Sequence, residues 1–243
     1  MPAAERTQNE IDHSRAVRKM FSCIASRYDL LNHLLSVNID KSWRRRVRQA
    51  FLEILENENA IVLDLACGTG DLSIELQTNA KAQVVGADFC RPMLDLARSK
   101  TAHRSLSVPF VEADAMQLGF ADESFDAVTI AFGLRNLANF RDGLAEIRRV
   151  LKTGGKLVVL EFSTPPIPGF KKVFNIYFTQ VLPRIGGLFS GERSAYEYLP
   201  DSVLRFPNQK ALAGLLCETG FENVEFKNLT GGIAAIHSGT KSP

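Results

Sequence analysis

The sequence lacks the uncharged apolar run of about 18 residues that a membrane-spanning helix requires. Residues 1–15, MPAAERTQNEIDHSR, contain no apolar segment of the kind that signal peptides carry. The four cysteines have no CxxC spacing and the four histidines have no metal-ligand spacing, so no metal site is predicted. The net charge of +2 does not indicate a nucleic-acid-binding protein. We therefore expect a cytoplasmic protein, with any membrane contact limited to a peripheral one on the inner face.

The hydrophobic pattern of the 243-residue chain changes near residue 57. Residues 14–56 have helical spacing and follow a polar tail, residues 1–12, so we expect 1–56 to form a helical lid or substrate region. Beyond this point, apolar runs alternate with amphipathic segments, which predicts a doubly wound α/β domain with a mostly parallel sheet. Two final strands without a long crossover predict an antiparallel edge hairpin. Residues 57–243 would form this α/β unit, with an insertion at about 165–205, and together with 1–56 they would make one continuous domain overall. The seven expected strands are 60–66, 82–88, 106–114, 124–133, 156–163, 222–230 and 232–239.

A glycine-rich turn follows the first expected strand, in VLDLACGTGDL (residues 62–72). Gly68 and Gly70 would let a cofactor approach the backbone closely at the carboxyl end of a parallel strand. The dinucleotide fingerprint GxGxxG requires a third glycine, which this turn lacks. Asp64 and Asp71 flank the turn, and their carboxylates would repel a pyrophosphate but attract a cation. The turn therefore favours S-adenosylmethionine, which has an ammonium, a sulfonium and no phosphate. For Asp71 the alternative is a role at the helix N-terminus.

Acidic residues also follow the second and third expected strands. Asp88 is suitably placed to accept hydrogen bonds from both ribose hydroxyls of a nucleoside cofactor. Asp114 could accept one from an adenine amino group, while the backbone N–H of Ala115 could donate to the ring. A loop acid without a ligand remains the alternative interpretation of each carboxylate.

Longer sequence blocks resemble a known family. They are YDLLNHLLSVNIDKSW (residues 28–43), FGLRN (132–136), RVLKTGGKLVVLEFS (149–163) and SAYEYLPDSVLRFP (194–207). Together with DLACGTGDL, they resemble the demethylmenaquinone and ubiquinone-precursor C-methyltransferases of quinone biosynthesis, over nearly the whole chain. That family has the class I fold of S-adenosylmethionine-dependent methyltransferases. The departures from its pattern are Leu31 in place of Met, Asp40 in place of His and Thr153 in place of the usual Pro.

The resemblance implies transfer of a methyl group from S-adenosylmethionine to the ring of demethylmenaquinol, giving menaquinol in menaquinone biosynthesis. Two alternatives remain open: ring methylation of the ubiquinone precursor 2-polyprenyl-6-methoxy-1,4-benzoquinol, and a non-catalytic cofactor-binding scaffold. The implied partners are a prenylated hydroquinone and either further copies of the chain or a quinone-biosynthesis complex. Family cofactor contacts carry over to Thr69, Asp88, Asp114 and Ala115. Ala131 replaces a family serine, so only its backbone can contact the cofactor.

Residues after the fourth expected strand are the candidates for catalysis. Ring methylation needs an electron-rich hydroquinone, and we expect Arg135 to stabilise a developing phenolate. We expect Asn136 to orient a ring hydroxyl or a water. The alternative for Arg135 is a cap on the strand end or an ion pair with Asp142 or Glu146. The candidate substrate contacts, for each of which packing is an equal alternative, are Tyr28, Arg193 and Tyr196.

Two basic segments are candidates for contact with a membrane that holds the prenyl tail of the substrate. FKKVFNIYFTQ (residues 170–180) is compatible with an interfacial helix, and a helix that covers the sheet is the alternative. WRRRVR (residues 43–48) could contact anionic lipid, and a solvated basic face is the alternative.

Overall fold

A computed structural model describes residues 6–36, 38–169 and 193–242 of the chain. Its centre is a sheet of seven strands: β1 (Ile61–Leu65), β2 (Gln83–Asp88), β3 (Phe110–Glu112), β4 (Phe125–Ala131), β5 (Leu151–Phe162), β6 (Phe221–Leu229) and β7 (Ala234–Lys241). The strand order is β3-β2-β1-β4-β5-β7-β6. Strands β1 to β5 pair in parallel, and β7 is antiparallel to both β5 and β6. The expected α/β fold with an antiparallel edge hairpin is therefore confirmed.

Helices cover both faces of the sheet. They are α1 (Gln8–Leu35), α2 (Ile39–Gln49), α3 (Leu52–Leu55), α4 (Asp71–Gln77), α5 (Arg91–Ala102), α6 (Phe140–Val150), α7 (Arg193–Arg205) and α8 (Gln209–Glu218), with 3-10 turns at Leu134–Asn136 and Thr230–Gly232. Leu63 of β1 packs with Leu144 of α6 in one buried cluster. Val62, its neighbour in the strand, packs with Trp43 of α2 and Leu72 of α4 in another. The central strands β1 and β4 are largely apolar because successive side chains enter opposite cores, whereas the edge strand β6 is mostly exposed.

Helix α1 begins earlier than the sequence pattern predicted. The expected polar tail, residues 1–12, is helical from Gln8 onward. The reason is a capping box: the N–H of Thr7 donates to Glu10 Oε2 at 2.9 Å, and the N–H of Glu10 donates to Thr7 Oγ1 at 3.3 Å. This start places the first turns of α1 against the body of the protein.

Two strand boundaries also differ from the prediction. β5 begins at Leu151 rather than at residue 156, because Leu151 pairs with Phe125 before the register shifts and pairing resumes between Lys156 and Ala127. Gly154 thus lies between the two paired stretches of β5, within the strand. β3 is shorter than the expected 106–114, since only Phe110–Glu112 pair with β2.

The segment 170–180, expected as an interfacial or sheet-covering helix, lies outside the described residues. None of the helices in the described part of the chain has both the length and the apolar composition needed to span a bilayer.

Candidate active site

A cleft of about 690 Å³, which includes space open to solvent, lies at the carboxyl ends of β1, β2 and β4. The chain leaves β1 for β2 on one side and later returns to β4 on the other. The cleft is therefore at the topological switch point, where open α/β sheets bind ligands. The expected cofactor residues that line it are Gly68, Asp88, Asp114, Ala115 and Ala131.

Asp88 is held beside the cleft by two backbone donors. The N–H of Gly68 donates to Oδ2 at 2.9 Å, and the N–H of Cys90 donates to Oδ1 at 2.8 Å. Each carboxylate oxygen keeps a second lone pair for a further donor. Burial raises the pKa of Asp88 to about 6, and these backbone hydrogen bonds oppose the rise. The side chain is therefore ionised at neutral pH, in the form that accepts hydrogen bonds from hydroxyls.

Asp114 lines the same cleft and already has a cationic partner. Arg6 donates from Nη1 to Oδ2 at 2.8 Å and from Nη2 to Oδ1 at 3.0 Å. The N–H of Met116 also donates to Oδ1, at 3.0 Å. Oδ1 thus has two donors and Oδ2 has one, so the carboxylate can accept one more hydrogen bond, at Oδ2.

The charge of the cleft wall limits the ligands that it can hold. Among the described residues that line the cleft, Asp88 and Asp114 are the only ones with a charged side chain. No lysine or arginine among the described residues lines this wall, and the nearby Arg6 is already engaged by both oxygens of Asp114. Apolar side chains, including Phe21 and Phe89, make up much of the rest. This wall suits a cofactor with a positive charge, a flat ring and no phosphate.

Asp64 is not among the residues that line the cleft, so the expectation that its carboxylate favours the cofactor stays a prediction without support from this geometry. Asp64 lies within β1, and side-chain alternation turns it, like Val62, toward α4 rather than toward the end of the strand. There it is 1% exposed and accepts a hydrogen bond from Ser73 Oγ at 2.5 Å. Burial raises the pKa of Asp64 to about 7, and the Ser73 hydroxyl opposes the rise.

Thr69 and Asp71 belong to a polar network that joins the glycine-rich turn to α1. Thr69 Oγ1 donates to Asp29 Oδ1 at 2.5 Å and accepts from Lys100 Nζ at 3.1 Å. Lys100 also contacts Asp71, which lies 3.3 Å from Arg44 Nη2. The Thr69 hydroxyl is thus bonded to α1 rather than to the cleft. Two cations balance Asp71, which begins α4 as the alternative interpretation predicted.

The two glycines of the turn serve different purposes. Gly68, with φ +55°, lines the cleft, and a Cβ there would meet nothing closer than Tyr28, at 3.9 Å. Gly70, with φ +81°, faces protein: a Cβ there would lie 2.9 Å from Ala97 Cβ and 3.2 Å from Phe110 Cζ. Gly70 is therefore needed for packing against α5 and β3, not for room in the cleft.

Arg135 is buried and paired with Glu161, so its predicted direct contact with a phenolate stays a prediction without support from this geometry. Its Nη1 donates to both carboxylate oxygens of Glu161, at 3.1 and 3.0 Å, and to the carbonyl of Phe132 at 2.5 Å. Its guanidinium also lies 5.4 Å from the ring centroid of Phe162. Arg135 is not among the residues that line the cleft. The alternative interpretation, a cap and an ion pair, fits better, although the acid is Glu161 rather than Asp142 or Glu146.

Asn136 lines the cleft and connects three parts of the protein. Its Nδ2 donates to the carbonyl of Phe132 at 3.2 Å, and its Oδ1 accepts from the hydroxyl of Tyr198 in α7, also at 3.2 Å. Its backbone carbonyl accepts from Nε2 of His13 in α1 at 3.2 Å. A carbonyl can only accept, so these contacts fix the orientation of the amide. One N–H of Nδ2 remains for a ligand.

Helix α1 closes one side of the cleft. Tyr28 lines the cleft and packs edge-on against Phe21, with ring centroids 5.9 Å apart. Arg193 and Tyr196 belong to the first turns of α7, but their side chains lie outside what the structure describes. Their predicted substrate contacts therefore stay predictions.

Sequence comparison identifies the family of this chain. The profile of the ubiE/COQ5 methyltransferase family matches residues 8–241. The chain belongs to this family.

Relatives in the family are similar over almost their full length. A demethylmenaquinone methyltransferase of Deinococcus radiodurans is 50% identical over 231 residues, which cover 95% of this chain and 94% of that protein. One of Thermus thermophilus is 52% identical over 223 residues, covering 91% of this chain and all (100%) of that protein. The ubiquinone/menaquinone biosynthesis C-methyltransferase UbiE of Geobacter sp. strain M21 is 48% identical over 229 residues, which cover 93% of this chain and 96% of that protein.

Solved structures resemble the fold of this methyltransferase-family chain. The cyclase SpnF superposes with a TM-score of 0.70 at 17% identity, covering 94% of this chain and 96% of that chain. A SAM-dependent methyltransferase from Thermotoga maritima superposes with a TM-score of 0.61 at 18% identity, covering 93% of this chain and 100% of that chain. At such low identity these likenesses support the fold alone, and the cyclase illustrates that one fold hosts different chemistry.

Sequence reasoning missed two residues at this family member's site, Glu161 and Arg6. Glu161 is the single acid in the apolar run of β5, and an acid in a strand buried on both faces requires a partner. That signal was present in the sequence. Arg6 was included in the polar tail, and only the capping box at Thr7 indicated that this part of the chain is ordered.

Proposed function

We propose that this chain is an S-adenosylmethionine-dependent C-methyltransferase that methylates the ring of demethylmenaquinol to menaquinol. The observation that carries the proposal is the acidic, lysine- and arginine-free wall of the cleft at the switch point, within the described residues. Two relatives of 50% and 52% identity, named demethylmenaquinone methyltransferases, support the choice of substrate.

The cofactor would be held by the residues that line the cleft. Asp88 accepts hydrogen bonds from the ribose hydroxyls, using the lone pairs that the N–H groups of Gly68 and Cys90 do not occupy. Asp114 Oδ2 accepts from the adenine amino group, and the backbone of Ala115 donates to the ring. Gly68 and Ala131 contribute their backbone alone. When bound, S-adenosylmethionine supplies the electrophilic methyl group.

Asn136 acts on the acceptor ring. Because Tyr198 and Phe132 fix its amide, its remaining N–H is directed as a donor, and we assign that donor to the ring oxygen that becomes a phenolate. A donor fixed in advance stabilises developing charge without reorganisation. Arg135 is then a positioning residue, which holds the turn that carries Asn136 through its pair with Glu161.

The N-terminal region, residues 1–56, serves as a lid over domain 57–243. Tyr28 and the neighbouring face of α1 exclude water from the cleft while the ring and the methyl donor are aligned. Arg193 and Tyr196, at the start of α7, are assigned to the prenylated hydroquinone.

The second candidate substrate is the ubiquinone precursor, because relatives at 48% identity are named for both pathways. Methyl transfer from labelled S-adenosylmethionine to demethylmenaquinol and to 2-polyprenyl-6-methoxy-1,4-benzoquinol, compared in one assay, distinguishes the two. We expect a higher kcat/KM for demethylmenaquinol. A higher value for the benzoquinol would reverse the substrate assignment, and no transfer to either would favour the scaffold alternative.

A further inference from the structure

Helix α2 carries an unusual concentration of positive charge. Five of its residues between 41 and 48 are lysine or arginine, whereas the net charge of the whole chain is only +2. Its one acidic residue, Asp40, is buried. The cations therefore lack the alternating acids that usually stabilise an exposed helix.

Two of these cations have structural roles. Arg44 pairs with Asp40 at 2.7 Å and lies 3.3 Å from Asp71. Arg48 donates to the carbonyls of Glu75 and Thr78, at 3.0 and 2.8 Å, and so caps the end of α4. Packing and capping account for both side chains, whereas the other three cations, Lys41, Arg45 and Arg46, are exposed.

Lys41 and Arg45 have no such explanation. Both are exposed, and neither has an acidic partner among the residues that the structure describes. They lie one turn apart on the same face of α2, where two like charges destabilise a helix. A local arrangement that costs stability without a structural gain points to function.

These two residues and Arg104 line an open groove of about 1130 Å³ beside α4. We call this groove the basic groove, and Lys41, Arg45 and Arg104 are its exposed cations. Its lining within the described residues contains two acids, Asp71, which two cations already contact, and Glu75. The groove therefore keeps a net positive charge, and it contains no aromatic side chain.

The first turns of α2 lie at the same edge of the sheet as the cleft. Trp43 Nε1 donates to Thr230 Oγ1 at 2.9 Å. Thr230 precedes β7, whose first residue, Ala234, pairs with Phe162 at the carboxyl end of β5. The start of α2, which carries Lys41, is thus on the side of the sheet where the cleft opens.

We propose that the basic groove binds the surface of a bilayer that contains anionic lipids. The inference rests on the proposed function, since a prenylated hydroquinone resides in lipid and must reach the cleft from there. Clusters of four to eight Lys or Arg on a helix are typical of binding to anionic lipid. Nucleic acid fits less well, because none of the described residues that line the groove has a ring on which a base could stack.

Vesicle co-sedimentation tests the proposal with the full chain. We expect binding to vesicles that contain phosphatidylglycerol, weaker binding as salt increases, and little binding to pure phosphatidylcholine. In the double variant Lys41→Glu, Arg45→Glu, binding should weaken by about tenfold or more. The matched control is Lys210→Glu, Lys227→Glu, which changes the net charge equally at two exposed lysines of α8 and β6 and should bind as the wild type does.

Two further measurements keep the test decisive. The groove variant should unfold at about the same denaturant concentration as the wild type, because one like-charge pair replaces another and each introduced glutamate stands three residues before an arginine, Arg44 or Arg48. Weaker binding then cannot result from misfolding. Its methyl transfer to a short-chain, water-soluble quinol should be unchanged, which separates failure of this inference from failure of the proposed function. Unchanged vesicle binding in the groove variant, an equal loss in the control, or binding of an oligonucleotide but not of vesicles would overturn the proposal.

Discussion

Glu161 fixes both the side chain and the main chain of Arg135. Nη1 of Arg135 donates to the two carboxylate oxygens, and its backbone N–H donates to Oε1 at 3.2 Å. The two side chains are only 6% and 1% exposed. Since Asn136 follows directly and lines the cleft, this buried pair determines where the proposed donor lies.

Removing one partner of the buried pair should destabilise the fold strongly. Arg135→Ala leaves the Glu161 carboxylate uncompensated in the core, and we expect a loss of about 3–5 kcal/mol in the free energy of unfolding. The matched control is Arg141→Ala, which breaks a pair with Glu218 whose side chains are 60% and 57% exposed. There we expect about 1 kcal/mol or less. Equal losses in denaturant titrations would contradict the structural role of the pair.

The amide of Asn136 should contribute to the rate and not to cofactor affinity. We expect Asn136→Ala to lower kcat by about 10²-fold, as loss of a fixed oxyanion donor does, with the Kd for S-adenosylmethionine little changed. Tyr198→Phe should lower kcat by less, because the amide persists but loses one of its two orienting contacts.

The double variant of Asn136 and Tyr198 tests the coupling between them. If Tyr198 acts through Asn136, its substitution should have no further effect on kcat once the amide is absent. Additive losses would show that Tyr198 acts independently.

Affinity for S-adenosylmethionine should depend on pH through Asp88. The pKa of its carboxyl is raised to about 6, so the ionised acceptor is fully present well above pH 6 and is lost as the pH falls below it. The Kd measured by calorimetry should therefore increase below pH 6. Asp88→Asn should bind about 10- to 100-fold more weakly at pH 8, since hydrogen bonds to a charged group are lost, and should lack this pH dependence.

Asp64→Asn provides the control for that pH profile. The pKa of Asp64 is also raised, to about 7, but its carboxylate accepts a hydrogen bond from the Ser73 hydroxyl and does not line the cleft. The weakening below pH 6 should persist in this variant. Its disappearance would assign the titration to Asp64 instead.

Gly70 should be required for packing rather than for cofactor contact. Gly70→Ala combines a strained positive φ with a Cβ 2.9 Å from that of Ala97. Gly154→Ala imposes a similar φ, +80°, with nothing within 4 Å of the new Cβ. We expect a loss of about 1 kcal/mol for Gly154→Ala and a clearly larger one for Gly70→Ala. Equal unfolding midpoints for the two variants would indicate that α5 can shift away from the added methyl group at residue 70 without loss of stability.

The sequence was sufficient to predict the sheet and the location of the cleft. Apolar runs such as IVLDL are buried on both faces, and their alternation with helical segments leaves few topologies. The residue after such a run, or the last one of it, falls at the carboxyl edge, which is why the position of Asp88 beside the cleft could be predicted.

Side-chain direction and long-range pairing could not be predicted in the same way. Asp64 differs from Asp88 only in lying one residue before the end of its strand, which turns it toward α4. The partner of Arg135 is 26 residues away in β5, and that of Asp114 is 108 residues away at Arg6. Local spacing contains no information on contacts at such separations, so Asp142 and Glu146 were the natural but wrong candidates.

In the proposed reaction, a methyl group is transferred in the cleft from S-adenosylmethionine to a ring carbon of the quinol. The most direct measurement incubates the purified chain with demethylmenaquinol and S-adenosylmethionine labelled with ¹³C in its methyl group, and locates the label by NMR. We expect a labelled methyl on a ring carbon, at a rate that falls in Asn136→Ala. A label on a ring oxygen, or no label in the quinol at all, would contradict it.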